Sequence, residues 1–157
     1  MTTDFHLVAL SREKFQHLFS MNDEELATHN ALRMVVDKKP GYPCRVSLMD
    51  AEPGERVILL PFKHHNVDSP YQSTGPIFIR EAARTAAPKI NEIPVMFHYR
   101  LHSVRAYNEN AMMVWAKVVE GQALEATIQE FFTDSNVAYL QLHNAGPGCF
   151  NCLVQRA

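Results

Sequence analysis

The sequence predicts an α+β fold, a mostly antiparallel sheet with two or three short helices packed on one face. Three observations carry that expectation. Apolar and polar residues alternate along 97–107, and Asn108-Glu109-Asn110 turns the chain back into a second apolar run over 111–119, the pattern of a β-hairpin. Leu124, Ile128, Phe131 and Phe132 recur at the spacing of one helix face. Gly146-Pro147-Gly148 separates two further apolar runs, 136–144 and 149–154, and strands joined by tight turns pair antiparallel.

Taken in order, residues 5–10 read as a first strand. Ser11 is an N-cap type residue, and Phe15, Leu18 and Phe19 follow at helical spacing, so a helix is expected near 12–20. Asn22 or Asp23 starts a second short helix carrying Leu26 and Ala27. Residues 31–36 turn to β-forming types, with Leu32, Met34 and Val36 on one face. Pro40 and Pro43 demand a loop, because neither can donate to a ladder. Residues 44–48 suit either a strand or a turn, and Pro53 and Gly54 make 50–55 a turn.

Residues 56–62 form a strand apolar on both faces, as a strand covered on both sides requires. Residues 64–75 read as a long polar loop, placing His64 and His65 off the sheet, and 76–80 as a short strand. Pro88 and Pro94 keep any helix at 81–87 short. In 97–107 the odd positions Phe97, Tyr99, Leu101, Arg105 and Tyr107 share one face, and His98, Arg100 and His102 the other, solvated one. The last helix is expected over 122–133, and a single sheet is expected to take the 56–62 strand with both hairpins.

Length and charge bound the function. A chain of 157 residues fits one domain, at roughly 100–200 residues each. The net charge is −2, and no basic run exceeds Lys38-Lys39, so the positive field a nucleic-acid binder needs is missing. The longest apolar run, 57–62, is too short to span a bilayer, and no cationic segment followed by an apolar one opens the chain. A cytoplasmic location is therefore expected, with no membrane partner and a monomer or homodimer as the assembly. Cys44, Cys149 and Cys152 cannot all pair within one chain, which points to free thiols or metal ligands.

Several segments match a family pattern. Pro43-Cys44-Arg45, Asp50-Ala51-Glu52-Pro53-Gly54-Glu55, Ser69-Pro70-Tyr71 and Gly75-Pro76-Ile77-Phe78 occur in that order, followed by Arg105-Ala106-Tyr107 and Gly148-Cys149-Phe150. Together they resemble a bacterial family of small proteins catalogued as domain of unknown function 1203, across nearly the whole chain. The resemblance implies a bacterial origin and one compact domain, and it implies no activity. Ser47 stands where the resemblance implies a second cysteine, so a metal held by that pair would lack a ligand here.

Chemistry must then be argued from residues. Ser69, Tyr71, Ser73 and Gly75 bring hydroxyls and exposed amides to one loop, a composition that cradles anions when the N–H groups converge. Arg105 sits among apolar neighbours beside Tyr107 and so wants a carboxylate or an anionic ligand. Arg45 beside Cys44 would favour a thiolate. The candidate ligand-binding set is Cys44, Arg45, Ser69, Tyr71, Ser73, Gly75, Arg105, Tyr107 and Cys149, expected where the middle segment folds against the terminal hairpin and leaves a hollow.

The expected function is binding of a small molecule, in one version an anion, or of a protein. The alternative is a cysteine-based enzyme or a zinc protein using Cys44, Cys149 and Cys152. A Cys-x-x-Cys on a straight strand weakens the zinc version, because residues three apart point to opposite faces. His98 and His102 on one strand would lie about 13 Å apart, too far to share an ion. No nucleophile-elbow, phosphate-loop, dinucleotide or His-Glu-x-x-His motif occurs, and no cofactor or metal ligand is assigned.

Overall fold

The computed structural model describes residues 2–157. Its strands are β1 (Phe5–Val8), β2 (Leu32–Val35), β3 (Arg56–His65), β4 (Ser73–Arg80), β5 (Leu101–Tyr107), β6 (Met113–Glu120), β7 (Tyr139–Asn144) and β8 (Phe150–Arg156). Its α-helical segments are α1 (Gln16–Phe19), α2 (Asp23–Ala27), α3 (Val95–His98) and α4 (Leu124–Phe132). Among the described residues the ladders between these strands are antiparallel, so the α+β expectation holds. Among the described residues no helix is long and apolar enough to cross a membrane.

The strands form two sheets rather than one. The first has the order β1-β8-β7-β5-β6 and contains both expected hairpins; the second has the order β2-β3-β4. One face of the first sheet carries Leu7, Val104, Ala106, Leu140, Leu142, Cys152 and Val154, and α4 covers it with Leu124, Ile128, Phe131 and Phe132. The second sheet builds its own apolar cluster, in which Phe15, Leu18 and Leu26 pack on Ile58, Leu60, Ile77 and Ile79. The two groups of helices therefore serve different sheets. The cause is the apolarity of both faces of β3: Val57 and Ile58 are both buried, so each face needs its own cover.

Several boundaries move for identifiable reasons. The helix expected near 12–20 divides into a 3-10 turn at Arg12–Lys14 and the single turn α1. Ser11 precedes that turn without capping it, whereas Asn22 caps α2 through a capping box with Glu25. No helix forms at 81–87; the turn α3 forms instead after Pro94. Phe97 is thus taken out of the expected 97–107 strand and buried under α4, and Arg100 is drawn to Asp50. His98, Arg100 and His102 consequently share no solvated face: His102 is fully buried, with Nε2–H donating to the Phe97 carbonyl at 2.8 Å.

The largest correction concerns the middle. β3 runs on through His64 and His65, and β4 begins at Ser73, so only 66–72 is loop. Pro61 sits opposite Pro76 and His65 opposite Ser73. β4 is an edge strand, which is where a proline inside a ladder is tolerated. The extension is held by packing: the far end of this ribbon lies over the second face of the first sheet, where the ring of His64 stacks on Phe150 with centroids 5.2 Å apart.

Candidate functional site

The expected meeting of the middle segment with the terminal hairpin occurs, and Arg45 makes it. Arg45 is 2% exposed. Its Nε–H donates to the Phe150 carbonyl at 2.8 Å, and Nη1 donates to the Pro43 carbonyl. Burial lowers its pKa to about 10, partly offset by the nearby Cys149 and Cys44 sulfurs, so the group stays charged at neutral pH. A hollow of about 460 Å³ lies beside this junction, lined by Gly41, Pro43, Leu101 and the 144–147 turn. Its one charged residue is Arg100, whose guanidinium is already committed to the Asp50 carboxylate. That hollow offers shape without a free charged group.

The three cysteines are not brought together. Cys44 is fully buried in the cluster of the second sheet, and its Sγ accepts from the Arg80 and Ser47 N–H groups at 3.3 and 3.4 Å. Cys152 lies in the cluster beneath α4, where burial pushes its thiol pKa well up. Cys149 is half-buried. Among the described residues no three His, Cys, Asp or Glu side chains are placed to hold a metal ion.

The hydroxyl-rich residues divide as well. The Ser69 hydroxyl donates to the Ala111 carbonyl at 2.9 Å and accepts the Tyr71 N–H at 3.1 Å, pinning the loop to the β5–β6 turn. Ser73 and Gly75 are strand residues, paired with His65 and Phe62. Tyr71 reaches the first sheet, where its ring meets Tyr107 edge-on at 6.0 Å.

Polar side chains converge on the second face of the first sheet. Antiparallel partners point to the same side, so the pairs Ser103–His143, Arg105–Gln141 and Tyr107–Tyr139 project together from β5 and β7. The Tyr107 and Tyr139 rings stack at 5.4 Å, and His65 lies against Tyr107 at 4.2 Å. His65 is held by two bonds, Nδ1–H to the Tyr71 carbonyl at 2.8 Å and Nε2 from the Tyr139 hydroxyl at 2.6 Å. Gln141 ties the ribbon down: its Nε2 donates to the His64 carbonyl at 2.8 Å, and its Oε1 accepts from His64 Nδ1 at 3.0 Å. A concavity of about 540 Å³ opens beside these groups, lined by His64, His65, Tyr139, Gln141 and Leu153.

Among the buried and half-buried arginines, Arg105 stands apart; Arg84, which also lacks a partner among the described residues, is exposed. Arg33, Arg80 and Arg100 reach carboxylates, and Arg12, Arg45 and Arg156 donate to backbone carbonyls. Arg105 is half-buried and does neither. Among the described residues its side chain makes one hydrogen bond, Nε–H to the Ser103 hydroxyl at 3.1 Å, and no ion pair, so both Nη groups are free. Its charge acts on its neighbours. Burial first, and then Arg105, hold His143 below the ordinary imidazole range, and burial, His65 and lastly Arg105 lower His64. Burial raises Tyr107, and Arg105 opposes that rise.

The sequence pointed to Arg105, Tyr107 and Tyr71, read His64 and His65 as a surface pair in a loop, and did not point to Tyr139, Gln141 or His143. One signal was present: Tyr139-Leu140-Gln141-Leu142-His143 alternates strictly, with its polar set on one face. That pattern reads as a solvated face until the β3–β4 ribbon is known to cover it.

An antiparallel α+β protein with an uncommitted arginine on a partly covered sheet face is the class that fold and site define. The model of a family described as "Protein of unknown function (DUF1203)" matches residues 41–156. The chain belongs to that family. No curated protein and no solved structure matches it.

Proposed function

We propose that the protein binds a small organic anion, a carboxylate or phosphate compound, at Arg105 on the second face of the five-stranded sheet. The observation that carries this reading is a half-buried guanidinium with both Nη groups unpaired among the described residues. A partly desolvated charge without a counter-charge is costly, and a fork of two N–H donors matches the two oxygens of a carboxylate or phosphate. Ser103 accepts from Arg105 Nε, which leaves its own proton free to donate. Tyr107 and Tyr71 supply an aromatic wall on the same side. The reading keeps Arg105, Tyr107 and Tyr71 from the candidate set, adds Gln141, His64 and His143, and assigns Arg45 and Cys44 to the scaffold. It takes the protein to act in a bacterial cytoplasm, where its three thiols stay free.

The test is a thermal-shift comparison of wild type and Arg105→Gln against sulfate, phosphate and simple di- and tricarboxylates at constant ionic strength. At least one anion should raise the wild-type Tm and leave that of R105Q unmoved. Equal responses in the two proteins would remove the site.

A further inference from the structure

We propose that the anion enters this site together with a proton, which His143 takes up, so that the site recognises an anion and an imidazolium as one unit. The inference rests on the anion-binding reading of Arg105 and concerns hydrogen bonds that the free protein leaves mismatched.

His143 is fully buried between two acceptors. Its Nδ1 lies 2.9 Å from the Gly148 carbonyl, which can only accept. Its Nε2 lies 3.0 Å from Gln141 Oε1. The Gln141 amide cannot turn round to help, because its Nε2 donates to the His64 carbonyl at 2.8 Å, and reversing it would set two oxygens against each other. Oε1 therefore faces both His64 Nδ1 and His143 Nε2. A neutral imidazole carries one N–H and satisfies one of the two acceptors; only the imidazolium donates to both.

The surroundings oppose that charge. The charged groups that act on His143 among the described residues are Arg105 from β5, His64 from β3 and Arg45 from the 43–45 loop, and none is acidic. Burial with these neighbours pushes the His143 pKa down to about 3, against the pull of the Gly148 carbonyl. The geometry asks for a proton, and the electrostatics refuse it while no negative charge is present. An anion on the free Nη groups of Arg105 supplies that charge. Arg105 pairs with Gln141 across β5–β7, and Ser103 pairs with His143, so the anion would sit within one residue pair of the ring. A doubly charged group, a phosphate monoester or a dicarboxylate, is favoured over a single carboxylate, because it neutralises the arginine and the new imidazolium together.

The sign of the coupling follows. If bound anion raises the His143 pKa, binding consumes a proton at any pH between the free and bound values, and affinity increases as pH falls. Sodium sulfate is the probe, since it stays doubly charged throughout the range. Sulfate is titrated into the protein between about pH 5 and pH 8 at constant ionic strength. The Arg105 Nε–H and His143 ring signals are followed by NMR.

The expected result is a shift of the Arg105 signal, an affinity that weakens up to ~tenfold per pH unit on raising pH, and an imidazolium signature at His143 in the bound state only. His143→Asn should bind sulfate with little pH dependence. Where that variant does not fold, the wild-type ring signal decides alone. Sulfate that shifts Arg105 with constant affinity while His143 stays neutral overturns proton coupling and leaves anion binding standing. An Arg105 signal that sulfate, phosphate and the dicarboxylates all leave unmoved overturns both.

Discussion

The Nε–H of Arg45 donates to the carbonyl oxygen of Phe150 at 2.8 Å, joining residues 105 positions apart. This bond, with the one to the Pro43 carbonyl, fixes the 43–45 loop against the start of β8. Removing the guanidinium leaves two carbonyls without donors in a site closed to water. Arg45→Met is therefore expected to lose about 3 kcal/mol of stability, since each bond to a charged group contributes roughly 1.5–3 kcal/mol. Urea unfolding monitored by fluorescence measures it, and a loss under about 1 kcal/mol would mean that the loop is held by other contacts.

Asp50 predicts a pH dependence. Burial alone would raise its pKa, but the Arg100 fork and the Tyr99 hydroxyl outweigh it and hold the carboxyl below its ordinary value. A carboxyl depressed in the folded state contributes stability that is complete above its unfolded value, about 3.9, and is lost as pH falls through the folded one. Wild type should accordingly lose stability in that acidic window. Asp50→Asn should be less stable at neutral pH and show a shallower acid slope, as read from urea midpoints across pH.

Gly121 is required for close approach. Its N–H donates to the Arg100 carbonyl at 2.9 Å, and a Cβ there would overlap the carbonyl oxygens of Phe97 and His98. Backbone cannot move aside as a side chain does, so Gly121→Ala should cost about 3 kcal/mol. Gly146, whose added Cβ would meet nothing within 4 Å, is the control: Gly146→Ala should stay within about 0.5 kcal/mol of wild type. Similar melting temperatures for the two variants would contradict this account.

Thiol chemistry distinguishes the cysteines. Cys44 and Cys152 are buried and Cys149 is half-buried. An aromatic disulfide reagent should modify one thiol per folded chain quickly, mapped to Cys149 by mass spectrometry, and the other two only on unfolding. Rapid modification of Cys44 in the native protein would restore it as a candidate nucleophile.

Local pattern made much of the secondary structure legible. The two hairpins, the α4 stripe and the Asn22 cap rest on side-chain periodicity and turn chemistry among close neighbours. The His64–His65 segment resisted such reading because its strand state depends on a partner ribbon and on the rings of Phe150, Tyr107 and Tyr139. The 97–100 stretch misled for the opposite reason: it alternates like a strand, but α4 captures Phe97 and Asp50 captures Arg100.

By itself the sequence determined the antiparallel α+β class, the turn at 50–55 and the family, and it raised the expectation that Arg105 needs a carboxylate or an anionic ligand. Tertiary structure decided the division into two sheets and the burial of Arg45. It also laid the β3–β4 ribbon over Gln141 and His143. The physical reason is range. Periodicity and turn propensity act within a few residues, whereas desolvation and the matching of donors to acceptors depend on which distant strands meet. For Arg105 that meeting leaves a charge with no counter-charge among the described residues.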